Sequence, residues 1–160
     1  EGDVTVVEFF DYNCGYCRRA MDDLMRLVEA DPNVRVVFKE FPVLGEKSME
    51  AAQVSIAVNE VVPESYEAFH VALMETDQPA DAALALQVAD ELGLPRAEIE
   101  AAMTGDVVRQ TVEEVYELAN ALGLTGTPSF VVGEEVVFGA VGLDVLKARV
   151  NEARCGAITC

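Results

Sequence analysis

The 160-residue sequence predicts an α/β fold in a single domain, a central sheet with helices on both faces and extra helices inserted between its strands. Three observations predict it. Two apolar runs rich in β-branched and aromatic residues, Val4–Phe10 and Val34–Phe41, flank one stretch of helical spacing, which makes a β-α-β unit and hence a parallel strand pair. From about Gly45 to Gly105 the apolar residues recur at helical steps. The chain then returns to two short strands and closes on an amphipathic helix. With 51% of its residues hydrophobic, a chain of this length buries one substantial core.

Val4–Phe10 reads as a buried strand that breaks at Asp11-Tyr12-Asn13. A helix follows from about Cys14 to Ala30, with Ala20, Leu24, Leu27 and Val28 at helical spacing, and Asp31-Pro32-Asn33 ends it with turn chemistry. The strand Val34–Phe41 alternates only in part, since Val36, Val37 and Phe38 stand together. In the helical tract, Met49, Ala52 and Ile56 mark one helix, and Pro63 suits the first turn of the next, where Tyr66, Phe69 and Leu73 line a face. Ala85, Val88, Ala89 and Leu92 mark a third, stopped by Gly93, and Pro95 begins a short fourth that ends at Gly105. Asp106 is placed to cap a longer fifth helix carrying Val108, Val112, Val115, Ala119 and Leu122, closed by Gly123. Ser129–Val132 and Val136–Phe138 are short strands joined through Gly133-Glu134-Glu135, a hairpin signal, and Leu143 to about Arg154 is the last helix. There is no internal repeat, linker or low-complexity segment.

The net charge of −18 excludes nucleic acid as a partner, because its phosphates would repel the chain. The same charge suits a soluble protein, and no apolar run reaches the roughly 18–20 residues that span a bilayer, so direct membrane insertion is not expected. Glu1 stands just ahead of a core strand, so the numbered chain reads as a processed form whose signal peptide is absent. Four cysteines fall as two local pairs, Cys14/Cys17 and Cys155/Cys160. Local pairs suit an oxidising compartment, although a cytosolic redox enzyme could carry the first pair too.

Cys14 and Cys17 lie in the first turn of a helix, where unpaired N–H groups and the positive end of the dipole favour a thiolate, the reactive form of the thiol. Cys14 is the candidate nucleophile, and Cys17, one turn deeper, the resolving thiol. A structural disulfide and half of a metal site are the other readings of this pair. Pro128, in Gly126-Thr127-Pro128-Ser129-Phe130, is either an ordinary strand-initiating proline or part of the site. Glu8 is a carboxylate in an apolar strand and Lys39 lies in the neighbouring one; strand periodicity lets both point to solvent. His70, with Tyr66, Leu73 and Met74 on one helix face, reads as a packed or groove-lining residue rather than a ligand. Met21, Met25, Met49, Met74 and Met103 read as core. Cys155 and Cys160, flanking Gly156-Ala157-Ile158-Thr159, read as a small structural disulfide, with a second redox pair or a metal site as alternatives. A four-ligand zinc site would need both cysteine pairs brought together.

Glu8-Phe9-Phe10 leading into Cys14-Gly15-Tyr16-Cys17, with Gly126-Thr127-Pro128-Ser129-Phe130 before a later strand, resembles the DsbA-like thiol–disulfide oxidoreductases of the thioredoxin superfamily, and within them the ScsC-like branch of secreted bacterial proteins. The resemblance implies a thioredoxin fold with an inserted helical subdomain: a core of residues 1–44 and 106–154, an insertion of 45–105 and a C-terminal cysteine loop of 155–160. It implies that Cys14 is the exposed nucleophile and that a cis Thr127–Pro128 bond faces the cysteines, so that the flanking backbone pairs with a substrate strand. It also implies that Glu8 and Lys39 form a buried charged pair beneath Cys17, whose proton the carboxylate ferries. Gly15 and Tyr16 tune the couple; with no histidine between the cysteines, and threonine at position 127, the pattern leans away from strong oxidase character.

The function expected on this basis is disulfide exchange with cysteines of exported proteins, as an oxidase or as an isomerase or reductase, in the periplasm or otherwise outside the cytoplasm. The Cys14–Cys17 disulfide is then the redox group, with no other cofactor and no metal. Partners would be cysteine-containing clients and a membrane redox protein, with oligomerisation through a segment preceding Glu1. The alternative is a soft-metal carrier that holds copper(I) on the same thiols.

Overall fold

In the computed structural model, which describes residues 2–160, β1 (Val4–Phe10), α1 (Gly15–Ala30) and β2 (Val34–Glu40) form the β-α-β unit. β1 and β2 run parallel, with Val4 opposite Val34 and Phe10 opposite Glu40. Four helices follow, α2 (Glu46–Val61), α3 (Tyr66–Met74), α4 (Ala82–Glu91) and α5 (Arg96–Met103), with a 3-10 turn at Pro63–Ser65 between the first two. The chain then runs through α6 (Asp106–Ala121), β3 (Ser129–Val132), β4 (Glu135–Phe138) and α7 (Leu143–Cys155). The sheet order is β2-β1-β3-β4, with β3 antiparallel to both its neighbours. This is a mixed α/β thioredoxin fold carrying a helical insertion between β2 and α6.

The two faces of β1 go to different layers. Val4 and Val6 pack with Ala20, Leu24 and Leu27 of α1, with Phe130 and Val132 of β3, and with Leu146 and Val150 of α7. Phe9, on the opposite face, packs with Val115 and Ala119 of α6, Phe41 and Leu124. A third cluster joins Phe10, Tyr12 and Met21 to the insertion, whose own core includes Val54, Ala57, Phe69, Leu73, Ala85, Val88 and Ile99. Each of these side chains larger than alanine contributes roughly 1.5–3 kcal/mol when removed from water, so the insertion is held to the sheet mainly by its apolar interior.

Two local expectations are corrected. Asp106 does not cap α6: Gly105 holds the N-cap position without a side-chain bond, and Asp106 is the first helical residue, paired with Arg109 at 3.2 Å. Its charge still favours the helix N-terminus. The hairpin turn is the two residues Gly133-Glu134, because Gly133 takes a φ of 60° and Glu135 pairs with Val132. α2 buries Ala51, Ala52, Val54, Ser55, Ile56, Ala57 and Val58, on more than one face, as befits the central helix of the insertion.

At the starting end of β1, Arg154 of α7 holds both Asp3, at 2.7 Å, and Asp31 at the end of α1, at 2.8 Å. Cys155 and Cys160 are joined in a disulfide at this same end and are exposed. A loop this short restricts the unfolded chain by about 2 kcal/mol at most. Replacing both cysteines with serine is expected to lower the unfolding free energy by no more than that and to leave disulfide exchange unchanged. An inactive double variant that still folds would show that the pair takes part in the chemistry.

Candidate active site

The end of β1 delivers the turn Asp11–Asn13, and the turn delivers Cys14 as the N-cap of α1. Cys14 has extended backbone angles (φ −84°, ψ 113°), so its sulfur reaches over the helix start and accepts the backbone N–H of Cys17 at 3.1 Å. Its thiol also donates to the carbonyl of Thr127 at 3.5 Å. The Thr127–Pro128 peptide bond is cis, and this loop is fastened by the N–H of Gly139 donating to the Pro128 carbonyl at 2.8 Å and by Ser129 Oγ donating to the Gly126 carbonyl at 2.7 Å. The structure thus brings together Cys14, Cys17, Thr127 and Pro128 from the two ends of the chain. Both cysteines are free thiols.

Their environments push the two thiols apart. Cys14 is held down to about 6, first by the hydrogen bond from the Cys17 side chain, then by the Thr127 side chain and the Cys17 N–H, against the opposing effect of burial. Burial pushes the Cys17 thiol far up, and its bond to Cys14 adds to this. One sulfur is therefore a thiolate at neutral pH while its partner keeps a proton, the division of labour that nucleophilic attack followed by resolution requires. The expectation of an exposed Cys14 needs correction: it is only 5% exposed, against 0% for Cys17, because the Thr127 loop lies against it.

Tyr16 projects outward, 60% exposed, with the Arg19 guanidinium 5.0 Å above its ring. A Cβ added to Gly15 meets nothing within 4 Å, so the first helical residue can be changed without a clash.

The expected Glu8–Lys39 pair does not form. Glu8 stands opposite Phe38 and Lys39 opposite Phe9, so the two side chains leave opposite faces of the sheet. Glu8 is fully buried, both of its carboxylate oxygens lack a hydrogen-bond partner, and burial holds its carboxyl well above the usual range. Because the folded state keeps this proton while the unfolded chain releases it near the ordinary glutamate value, the group lowers stability progressively as pH rises above that value. Glu8→Gln is therefore expected to raise the thermal midpoint more at pH 8 than at pH 4. The difference should be at least about 3 °C, the shift that 1 kcal/mol makes in a chain of this size. Equal shifts at both pH values would show that Glu8 is charged in the folded protein.

Sequence reasoning took Asp11-Tyr12-Asn13 only as a strand break, and here it missed the most connected residues of the site. Asp11 accepts from the Asn13 N–H at 2.7 Å, Ser48 Oγ at 2.7 Å and the Leu44 N–H at 2.9 Å. The Asn13 amide donates to Ser48 Oγ at 2.9 Å and to the Ala80 carbonyl at 2.8 Å, and accepts the Ala80 N–H at 2.7 Å. Tyr12 meets Ser55 and His70, both at 2.8 Å. Three adjacent side chains with turn-forming and hydrogen-bonding capacity next to a CxxC were the available signal. Their partners lie 33–67 residues away and carried none.

Next to the turn that carries Cys14, an open groove of about 850 Å³ is lined by Asn13, Arg18, Leu44, Lys47, Met74 and Pro79 among others. Cys155 and Cys160 lie at the far end of β1 from this site, so the two cysteine pairs do not converge on one ion. Among the described residues no group of three or more His, Cys, Asp or Glu side chains is placed to hold a metal.

Comparison with known proteins agrees with this geometry. The profile of the DSBA-like thioredoxin domain matches residues 5–151. The chain is similar to the crystal structure of a thioredoxin-like oxidoreductase from Silicibacter pomeroyi DSS-3, with 47% identity over 96% of this chain and 88% of that one and a TM-score of 0.92. It is also similar to the catalytic domain of Proteus mirabilis ScsC, with 32% identity over 95% of this chain and 84% of that one and a TM-score of 0.85. Among curated proteins it is 30% identical to YwbO of Bacillus subtilis over 88 residues, which span 52% of this chain and only 42% of that relative.

Proposed function

Because the chain belongs to the DSBA-like thioredoxin domain family, we propose that it exchanges disulfides with the cysteines of exported proteins through the Cys14–Cys17 couple. The observation that carries the reading is the Cys14 sulfur at a helix N-cap, 3.1 Å from the Cys17 N–H and held as a thiolate at neutral pH. In the reducing direction the Cys14 thiolate attacks a client disulfide, one client sulfur leaves as a thiolate, and a mixed disulfide forms. Cys17 then gives up its proton and attacks Cys14 Sγ, which releases the second client sulfur and leaves the Cys14–Cys17 disulfide. In the oxidising direction a client thiolate attacks Cys14 Sγ of that disulfide and Cys17 leaves, taking up the proton that its raised pKa favours. A second client thiolate then displaces Cys14, whose low pKa makes it a good leaving group. The buried carboxyl of Glu8, held on the sheet face that α1 covers, is the group that can pass the Cys17 proton.

A disulfide at Cys155–Cys160 supports an oxidising compartment, where such a bond persists, and a membrane redox protein there would reset the couple after each turnover. The client segment flanking the attacked cysteine would lie across Thr127 and Pro128 and into the groove lined by Leu44, Met74 and Pro79.

Equilibration against glutathione buffers tests the reading and sets the direction. A potential between those of thioredoxin, about −270 mV, and DsbA, about −120 mV, is expected. Exchanging Gly15-Tyr16 for Pro-His should raise it: proline suits the first helical position, nothing obstructs it there, and a histidine between the cysteines adds a cation beside the thiolate. Failure to equilibrate with glutathione, together with failure to oxidise or reduce a two-cysteine protein client, would overturn the proposed function. A wild-type potential at the DsbA value, unmoved by the exchange, would place control of the poise outside the dipeptide.

A further inference from the structure

Resting on the reading of Cys14 as nucleophile, we propose that Tyr12 is a positioning residue: its hydroxyl, held between His70 and Ser55, lets the helical insertion fix the turn that presents the thiol. Tyr12 is 1% exposed, and its phenol crosses from the turn into the insertion, meeting Ser55 Oγ of α2 and His70 Nδ1 of α3, each at 2.8 Å. His70 is itself caged, with Phe10, Phe38 and Tyr66 ring centroids 4.6, 4.1 and 5.8 Å from its own. Burial keeps the imidazole neutral by pushing it down to about 3. A neutral ring accepts the Tyr12 proton at Nδ1 and carries its own proton on Nε2. Nε2 has no hydrogen-bond partner, so the one polar contact of this ring is the Tyr12 hydroxyl.

The other end of Tyr12 ties down the helix. Its carbonyl accepts Arg18 Nε at 3.1 Å, and the Arg18 N–H in turn donates to the Cys14 carbonyl at 3.1 Å. Tyr12 therefore links the insertion, the turn before Cys14 and the first turn of α1. Asp11 and Asn13 add bonds to Ser48, Leu44 and Ala80, so the turn is tied to the insertion on both sides of Tyr12. The Tyr12 hydroxyl is enclosed, and removing it leaves its buried partners without a bond. The Cys17 N–H must stay aligned with Cys14 Sγ for the thiolate to be favoured, and hydrogen bonds weaken steeply with misalignment. Freeing the turn is thus expected to weaken the thiolate without touching either cysteine.

The test is the pH midpoint of Cys14 alkylation by iodoacetamide in the reduced protein, where the buried Cys17 does not compete. Tyr12→Phe keeps the ring and removes only the hydroxyl, and should raise the midpoint by about one unit, lowering the thiolate fraction at pH 6 about fivefold. Tyr12→Phe with His70→Leu removes the ring nitrogen that would otherwise face an empty place and should recover part of the stability, with Ser55 Oγ the one former partner of the hydroxyl that stays. A positioning role keeps the midpoint raised in this double variant; a merely structural role returns it to the wild-type value. Leu146→Ala, a cavity in the apolar layer that α7 shares with Val4, Val6 and Leu24, should cost stability and leave the midpoint alone.

Midpoints that are unchanged in Tyr12→Phe, restored in the double variant, or raised equally in Leu146→Ala would each overturn the proposal. If Tyr12→Phe does not fold, the double variant and Ser55→Ala give the same reading. A wild-type protein that exchanges no disulfides would sink the proposed function, while the alkylation midpoints would still report on Tyr12.

Discussion

Cys14→Ala is expected to abolish disulfide exchange, by more than about a thousandfold, while Cys17→Ala leaves a protein that accumulates mixed disulfides with its clients. The asymmetry follows from the two environments. Only Cys14 combines an N-cap sulfur, a donated N–H and a depressed pKa, so no other group can begin the attack. Cys17 is fully buried with its pKa pushed far up, so it cannot attack a client, yet it stands one turn away and can displace one already bound to Cys14. Without Cys17 the first step proceeds and the second has no intramolecular thiol. Incubation with a disulfide-bearing protein, followed by non-reducing electrophoresis and mass measurement of the adduct, separates the two outcomes. Residual exchange in Cys14→Ala would mean that Cys155–Cys160 is itself redox-active.

The rate of attack by the reduced protein should fall about tenfold per pH unit once the pH drops below the Cys14 value of about 6, and about a hundredfold between pH 7 and pH 4. Above pH 7 the rate should be flat, because Cys14 is already ionised and Cys17 stays protonated. Stopped-flow reaction with a small disulfide across this range checks it, and a profile rising through pH 8–9 would show an ordinary thiol.

The same depression has a thermodynamic sign. Cys14 titrates lower in the folded chain than unfolded, so its thiolate stabilises the folded dithiol form fully above the unfolded value, and this is lost as the pH falls through about 6. Cys17 acts oppositely: the unfolded thiol ionises where the folded one does not, so stability declines as the pH rises above the ordinary thiol value. At pH 7 a thiol titrating near 6 gains about tenfold over one titrating near 9, or about 30 mV for a two-electron couple. The disulfide is a stronger oxidant by that amount, in line with a poise above that of thioredoxin.

Short-range pattern alone determined the β-α-β start, the helical tract, the terminal hairpin and the CxxC at a helix N-terminus, because strand and helix periods and the turn residues at their ends act over a few positions. Glycine punctuation was legible for the same reason, down to the hairpin, although the two-residue turn at Gly133 had to be seen to set its register. Pairing across the sheet was not legible. Glu8 and Lys39 lie in neighbouring strands, but a one-residue offset in register decides whether two side chains share a face, and β1 and β2 settle on the offset that separates them. The depth of Cys14 and the roles of Asp11, Tyr12 and Asn13 were likewise decided in three dimensions. A buried hydroxyl, amide or carboxylate must find a partner somewhere, and here the partners are Ser48, Ser55, His70 and Ala80, which only the packing of the insertion brings beside the thiol.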